Sequence, residues 1–124
     1  MADVTKKAIS ELNYYQGEYA IPGIKFRYAA KDLGVSAWGM NVLEIDAGVT
    51  AYPEHDHTKD GQEEVYVLLR GSATLKAGDE EWPLEVGTLV RVGPSTTRKI
   101  LPGPGGATVL AIGGTPGQAY PAKR

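Results

Sequence analysis

The chain has 124 residues and a formal net charge of −2, from 13 basic and 15 acidic side chains. That length suits one core of normal size, and the charge balance lacks the basic excess that a phosphate backbone or an anionic membrane surface demands. With no cysteine, disulfides, thiolate-bound zinc, iron–sulfur clusters and thiol nucleophiles are excluded.

The apolar share of 42% can fill a small core, and 16 glycines with 8 prolines favour a fold rich in turns. The sequence starts MADVTKKAIS, without the apolar stretch of a secretory leader, and no later stretch is long and apolar enough to span a bilayer. The expected location is cytoplasmic, with neither nucleic acid nor membrane as partner.

Residues 3–12 place Val4, Ala8, Ile9 and Leu12 at a helical period, with Asp3 or Thr5 able to cap the start. This predicts a short helix strapped across one end of a sheet, within an N-terminal arm of residues 1–23. The arm also carries Tyr14, Tyr15, Tyr19, Ala20 and Ile21, more aromatic and apolar surface than a free arm needs. A homodimer built on this arm is the expectation that follows.

From residue 24 the pattern changes to short runs of Val, Ile, Leu, Tyr and Thr between Gly, Pro and Asp punctuation. Predicted strands cover 24–29, 37–45, 50–57, 63–69, 72–77, 81–84, 88–92, 98–101 and 108–112. Many short strands with no long helical pattern between them predict an all-β sandwich or antiparallel barrel. One domain over residues 1–124 is expected, with its core at about 24–113 and an extended tail at 114–124.

The chain has two histidines, His55 and His57. On a strand, residues two apart share a face, so both imidazoles would project together and form the minimum geometry for a shared metal ion. Alternatively, they are a solvated pair on a polar strand end. The next strand opens with Glu63 and Glu64, which point to opposite faces. One of the two must look toward apolar side chains, and a carboxylate there is costly unless a metal or an arginine compensates it.

The stretch Gly48…His55-Asp56-His57…Glu64…Gly71 resembles the first motif of the cupins: a glycine, His-x-His, a glutamate and a closing glycine. Six residues separate Glu64 from Gly71, as in that motif. The gaps before His55 and after His57 are longer than usual, the second through a turn insertion at residues 58–61. The second cupin motif keeps only its leading glycine, Gly87. Gly93 and Ser95 stand at its Pro and Gly positions, while Arg98 and Pro102 stand at its His and Asn positions.

The resemblance implies a small jelly-roll β-barrel with His55, His57 and Glu64 as metal ligands inside it. The implied cofactor is one divalent ion (Fe, Mn, Zn or Ni), or none, because Arg98 replaces the third histidine. A guanidinium stays charged and has no lone pair to donate. Arg98 either turns inward, pairs with Glu63 or Glu64 and leaves the site metal-free, or swings away from a metal held by two His and one Glu. The first alternative is preferred.

Tyr66 and Leu68 share the face of Glu64. Trp38, Met40 and Val42 alternate on an earlier strand. Arg98, Tyr66, Trp38 and Met40 are the candidate substrate contacts, whereas Arg27 and Arg91 are expected to point to solvent. Two readings remain. One is a cupin-fold protein that binds a small molecule, with or without a divalent metal. The other is a metal-dependent oxygenase, isomerase or hydrolase acting on a small polar metabolite.

Overall fold

A computed structural model of the protein describes residues 2–118. The expected tail falls partly outside this range, from residue 119 onward. The strands are β1 (Ile24–Arg27), β2 (Gly39–Ile45), β3 (Glu63–Ala77), β4 (Glu80–Leu84), β5 (Leu89–Val92) and β6 (Arg98–Gly114). They pair antiparallel throughout, in the order β1-β2-β6-β3-β4, with β5 also paired to β3, on the edge opposite β6. This is the expected all-β antiparallel architecture, although its sheet does not close into a continuous hydrogen-bonded ring.

The backbone of the fold is a ribbon of two long strands, β3 with 15 residues and β6 with 17. Their register runs from Glu63↔Gly114 at one end to Ala77↔Arg98 at the other. Each was expected as two separate strands, broken at Arg70-Gly71 and at the Pro- and Gly-rich stretch 102–106. Each instead continues as one strand, with register slips between Leu68/Arg70 and Gly71/Ala73. Such slips bend a strand and increase its twist. Gly71 and Gly106 both adopt positive φ here, and a Cβ on Gly71 would stand 2.1 Å from the Gly106 carbonyl oxygen. Only glycine permits both that backbone conformation and that approach.

The bend folds the inner faces of the ribbon toward each other. Tyr66, Leu68 and Leu75 of β3 meet Ile100 and Val109 of β6, Leu43 and Ile45 of β2, and Val92 of β5 in one buried cluster. Alternation along the strands produces this face. Fully burying each large side chain contributes roughly 1.5–3 kcal/mol.

The opposite face of β2 carries a smaller cluster of Val42, Leu12 and Ala29, against which Met40 packs. The elements that cover it differ from those expected. Residues 3–12 form no α-helix, only a 3-10 turn at Ile9–Glu11, and Val4 is exposed. A short α-helix, α1 (Ala29–Leu33), begins at the last residue of the strand expected at 24–29 and runs through residues for which no element was expected, stopped by Gly34 in the left-handed conformation. The periodicity of 3–12 has too little apolar surface to drive a full helix, since only Leu12 is deeply buried.

The arm instead runs along the sheet edge. Tyr14 bridges Arg27, and backbone bonds join Tyr15 N–H to the Phe26 carbonyl and Tyr28 N–H to the Asn13 carbonyl. Arg27 was expected in solvent but is buried. Its guanidinium donates to the Leu12 carbonyl and to Glu44, and lies over the Tyr14 ring. It therefore pins the arm to the sheet. Arg91 does face solvent, paired with Glu63. No helix among the described residues is long and apolar enough to cross a membrane.

Candidate functional site

Glu64 and Arg98 lie near opposite ends of the β3–β6 ribbon, opposite Gly113 and Ala77 respectively. The bend brings them face to face. Arg98 donates from one terminal nitrogen to Glu64 Oε1 at 3.1 Å and from Nε to the Tyr66 hydroxyl at 3.3 Å. Its other terminal nitrogen donates to the carbonyls of Thr96 (2.6 Å) and Gly93 (3.5 Å). Tyr66, two residues from Glu64 on the same face, donates its hydroxyl to Glu64 Oε1 at 2.5 Å. The inward ion pair with Glu64 is thus formed.

The two histidines arrive by a different route from the one predicted. Residues 50–57 form no strand. The segment is held by a single bridge, His55↔Arg98, and by the His57 N–H donating to the Pro94 carbonyl. The rings nevertheless converge, their centroids 5.2 Å apart in an edge-to-face arrangement. His57 Nε2 stands 3.3 Å and His55 Nε2 3.8 Å from Glu64 Oε1. One donor atom from each of His55, His57 and Glu64 lies within 4.8 Å of the other two.

Each ring is oriented from behind. His55 Nδ1 is 3.0 Å from the Pro53 carbonyl, and His57 Nδ1 is 3.1 Å from Asp60 Oδ1. A carbonyl and a carboxylate only accept hydrogen bonds, so both Nδ1 atoms carry the proton and, in the neutral rings, both Nε2 lone pairs face Glu64. Asp60 is itself held by the backbone N–H and side-chain amide of the buried Gln62. This support was not read from the sequence. An aspartate three residues after a histidine in a turn was the available signal.

Two imidazole lone pairs aimed at a carboxylate repel unless a cation or a shared proton lies among them. Burial pushes the Glu64 carboxyl up, but interaction with His55, the Tyr66 bond and the charges of His57 and Arg98 outweigh it, leaving it at about 2. The same contact with Glu64 raises His55 above the ordinary imidazole range, against the opposing effect of burial. Burial, with Glu64 adding to it, pushes the Tyr52 phenol up to about 12, and burial holds Tyr66 higher still. Both phenols therefore stay protonated at neutral pH, and Tyr66 donates to Glu64.

The site is layered by depth. Side-chain exposure is 0% for Arg98, 15% for Glu64, 20% for His57 and 33% for His55. Arg98 forms the floor, Glu64 stands on it, and the histidines face the opening. Arg98 and Tyr66, candidates for substrate contact, are engaged with Glu64. Trp38 is exposed ahead of β2, and Met40 packs in the smaller cluster on the far face of that strand. The structure therefore does not bring these two to the other candidate site residues: their alternation is that of the outer face of β2. Tyr52 was missed. It is buried with its ring 6.1 Å from His55, and only its place in a predicted strand pointed to it.

No family model and no curated protein matches the chain in sequence. Its fold, however, is that of several solved structures. A sugar phosphate isomerase of the cupin superfamily from Silicibacter pomeroyi superposes with a TM-score of 0.74 at 18% identity, over 88% of this chain and 74% of the other. A cupin protein from Bacteroides fragilis gives 0.61 at 20% identity, over 88% and 90%. The cupin domain of Cnp3 from Schizosaccharomyces pombe gives 0.69 at 14% identity, over 89% and 73%. The chain has the cupin fold, and that fold hosts proteins of unlike function.

Proposed function

We propose that this chain is a small-molecule-binding protein of the cupin fold that holds a divalent metal ion on His55, His57 and Glu64. The observation carrying this reading is the convergence of two imidazole lone pairs and a carboxylate, with both imidazoles oriented through Nδ1 by Pro53 and Asp60. A histidine ligand typically has such a partner at its second nitrogen. Two His and one carboxylate suit Fe(II), Mn(II), Zn(II) or Ni(II), with coordination positions left open. When bound, such an ion polarises an oxygen of water or ligand.

Arg98 and Tyr66 keep Glu64 ionised and fix its orientation. The inward Arg98 does not by itself close the opening, because it lies deeper than the carboxylate. Its charge does lower the affinity. Two unit charges 4 Å apart interact by about 4 kcal/mol at an effective dielectric near 20, and a divalent ion feels more. A second reading draws on that burial and bonding of Arg98: a metal-free site in which His55 shares a proton with Glu64. A metal-dependent enzyme is a further extension, supported only by the kind of fold neighbour named above.

Zinc titration by calorimetry, with elemental analysis of the dialysed protein, tests the proposal. Binding of one ion per chain, abolished in the His55→Ala/His57→Ala double variant, is the expected result. Absence of binding in the wild type, or unchanged binding in the variant, would overturn the metal reading.

A further inference from the structure

The groups around Glu64 converge on one of its two oxygens. Oε1 accepts the Tyr66 hydroxyl at 2.5 Å and a terminal nitrogen of Arg98 at 3.1 Å. The same atom stands 3.3 Å from His57 Nε2 and 3.8 Å from His55 Nε2. Among the described residues, every hydrogen bond to the Glu64 carboxylate ends on Oε1.

These distances identify the oxygen placed to ligate. A zinc ion lies about 2.0–2.1 Å from an imidazole nitrogen and about 2.0–2.2 Å from a carboxylate oxygen, so at a tetrahedral angle it separates the two by about 3.4 Å. His57 Nε2 and Oε1 already stand near that separation, and His55 needs a shift of a few tenths of an ångström. A carboxylate oxygen has two lone-pair directions, and on Oε1 both are taken by hydrogen bonds.

The two donors differ in how they can let go. Arg98 is fully buried and also donates to the carbonyls of Thr96 and Gly93, so its guanidinium is fixed. A phenol redirects its proton by rotating about one C–O bond, with the ring left in place. The Tyr66 ring is 1% exposed and locked in the core. The Tyr52 hydroxyl, which interacts with that of Tyr66, offers the proton another acceptor.

We infer that the Tyr66 hydroxyl competes with the metal ion for Glu64 Oε1: Tyr66 is a positioning residue that holds the carboxylate toward the histidines and must turn its proton away before the ion can bind. The inference rests on the proposed metal site and adds what restrains it. It reverses the usual effect of a hydrogen bond behind a metal ligand, whose loss typically costs about 10–100-fold in affinity. Here the bond occupies the ligating atom itself, so its loss frees a lone pair. Tyr66→Phe removes one oxygen atom from an enclosed ring and leaves a space smaller than a water molecule needs, so no water replaces the donor.

The test is zinc titration by calorimetry on the full chain, wild type against Tyr66→Phe. The variant is expected to bind zinc at least fivefold more tightly. Equal or weaker binding by the folded variant overturns the inference and leaves the metal reading intact. If the wild type takes up no zinc and the variant does, the inference stands and the metal reading of the wild type falls. If neither binds, both are overturned. Should melting curves show that the variant does not fold, proton NMR of the wild type decides. The Tyr66 hydroxyl proton, assigned through its own ring protons, is expected far downfield in the zinc-free protein, as for a short bond to a carboxylate, and is expected to move upfield when zinc is added. A resonance that added zinc leaves in place, or one absent from the zinc-free protein, overturns the inference.

Discussion

Arg27 and Arg98 are the two buried arginines among the described residues, and each is paired with a glutamate. Arg27 joins Glu44, whose side chain is 30% exposed, and spends its remaining contacts on the Leu12 carbonyl and the Tyr14 ring. Among the described residues Glu44 has no second ion-pair partner. Beyond Glu64 stand two imidazoles with their lone pairs turned inward. The same ion pair therefore does two jobs: at β1 it fastens an arm, and across the ribbon it presents a carboxylate to a pair of potential ligands. The chemistry of an arginine–glutamate pair does not reveal function. The third group facing the carboxylate does.

The largest expected effect that sharpens this contrast comes from Glu64→Ala. It leaves Arg98 buried and unpaired, which typically costs about 3–5 kcal/mol, and it should also eliminate zinc binding. Chemical denaturation reads the first effect and calorimetry the second. A loss below about 1 kcal/mol would mean that Arg98 reaches water and is no different from a surface arginine.

Acid titration comes next, on the metal-free protein. The Glu64 carboxyl is lowered from 4.5 to about 2 in the fold. Its contribution is therefore present above pH 4.5 and is lost as pH falls toward 2. It is on the order of 3 kcal/mol at about 1.4 kcal/mol per unit. The raised His55 acts in the opposite sense. Its contribution is full below the ordinary imidazole value and disappears as pH rises through its folded value. Denaturation midpoints at pH 2.5, 5 and 8 should accordingly peak at the middle value, and a monotonic trend would break the assignment. Smaller still is Arg27→Ala, expected to cost about 2 kcal/mol because Glu44 can rehydrate once its partner is gone. It should leave zinc affinity unchanged. The exposed Arg91–Glu63 pair sets the floor, since Arg91→Ala should cost less than about 1 kcal/mol.

The amino-acid pattern disclosed the strand-rich fold and the trio His55, His57 and Glu64, because His-x-His before an inward glutamate is a local signal. The period-two argument expected the two rings to converge, and they do, but not on a strand. The histidines lie on a non-strand segment whose rings are turned by Pro53 and Asp60. Arg98 was legible because an arginine stood at a motif position, and its partner followed from the need to neutralise Glu64. Arg27 was not legible, since its burial depends on a carbonyl 15 residues away in the arm. The continuity of β3 and β6 was hidden because glycine and proline usually signal a break. At Gly71 and Gly106 glycine instead permits two paired strands to bend together. The helix at Ala29–Leu33 is too short for periodicity to reveal.

The bend in the ribbon also has a consequence for the order in which the molecule folds. Pairing can start at Ala77↔Arg98, where the chain separation is smallest, and must then proceed to Glu63↔Gly114. Closing longer loops costs progressively more chain entropy, so the distal pairs form late. Glu64 belongs to the late end and Arg98 to the early one, and they meet only after the intervening strands have paired and curved. The ion pair is thus a latch on the finished roll rather than a seed for it. Weakening it should speed unfolding far more than it slows folding, so that this contact governs how long the native state persists once formed.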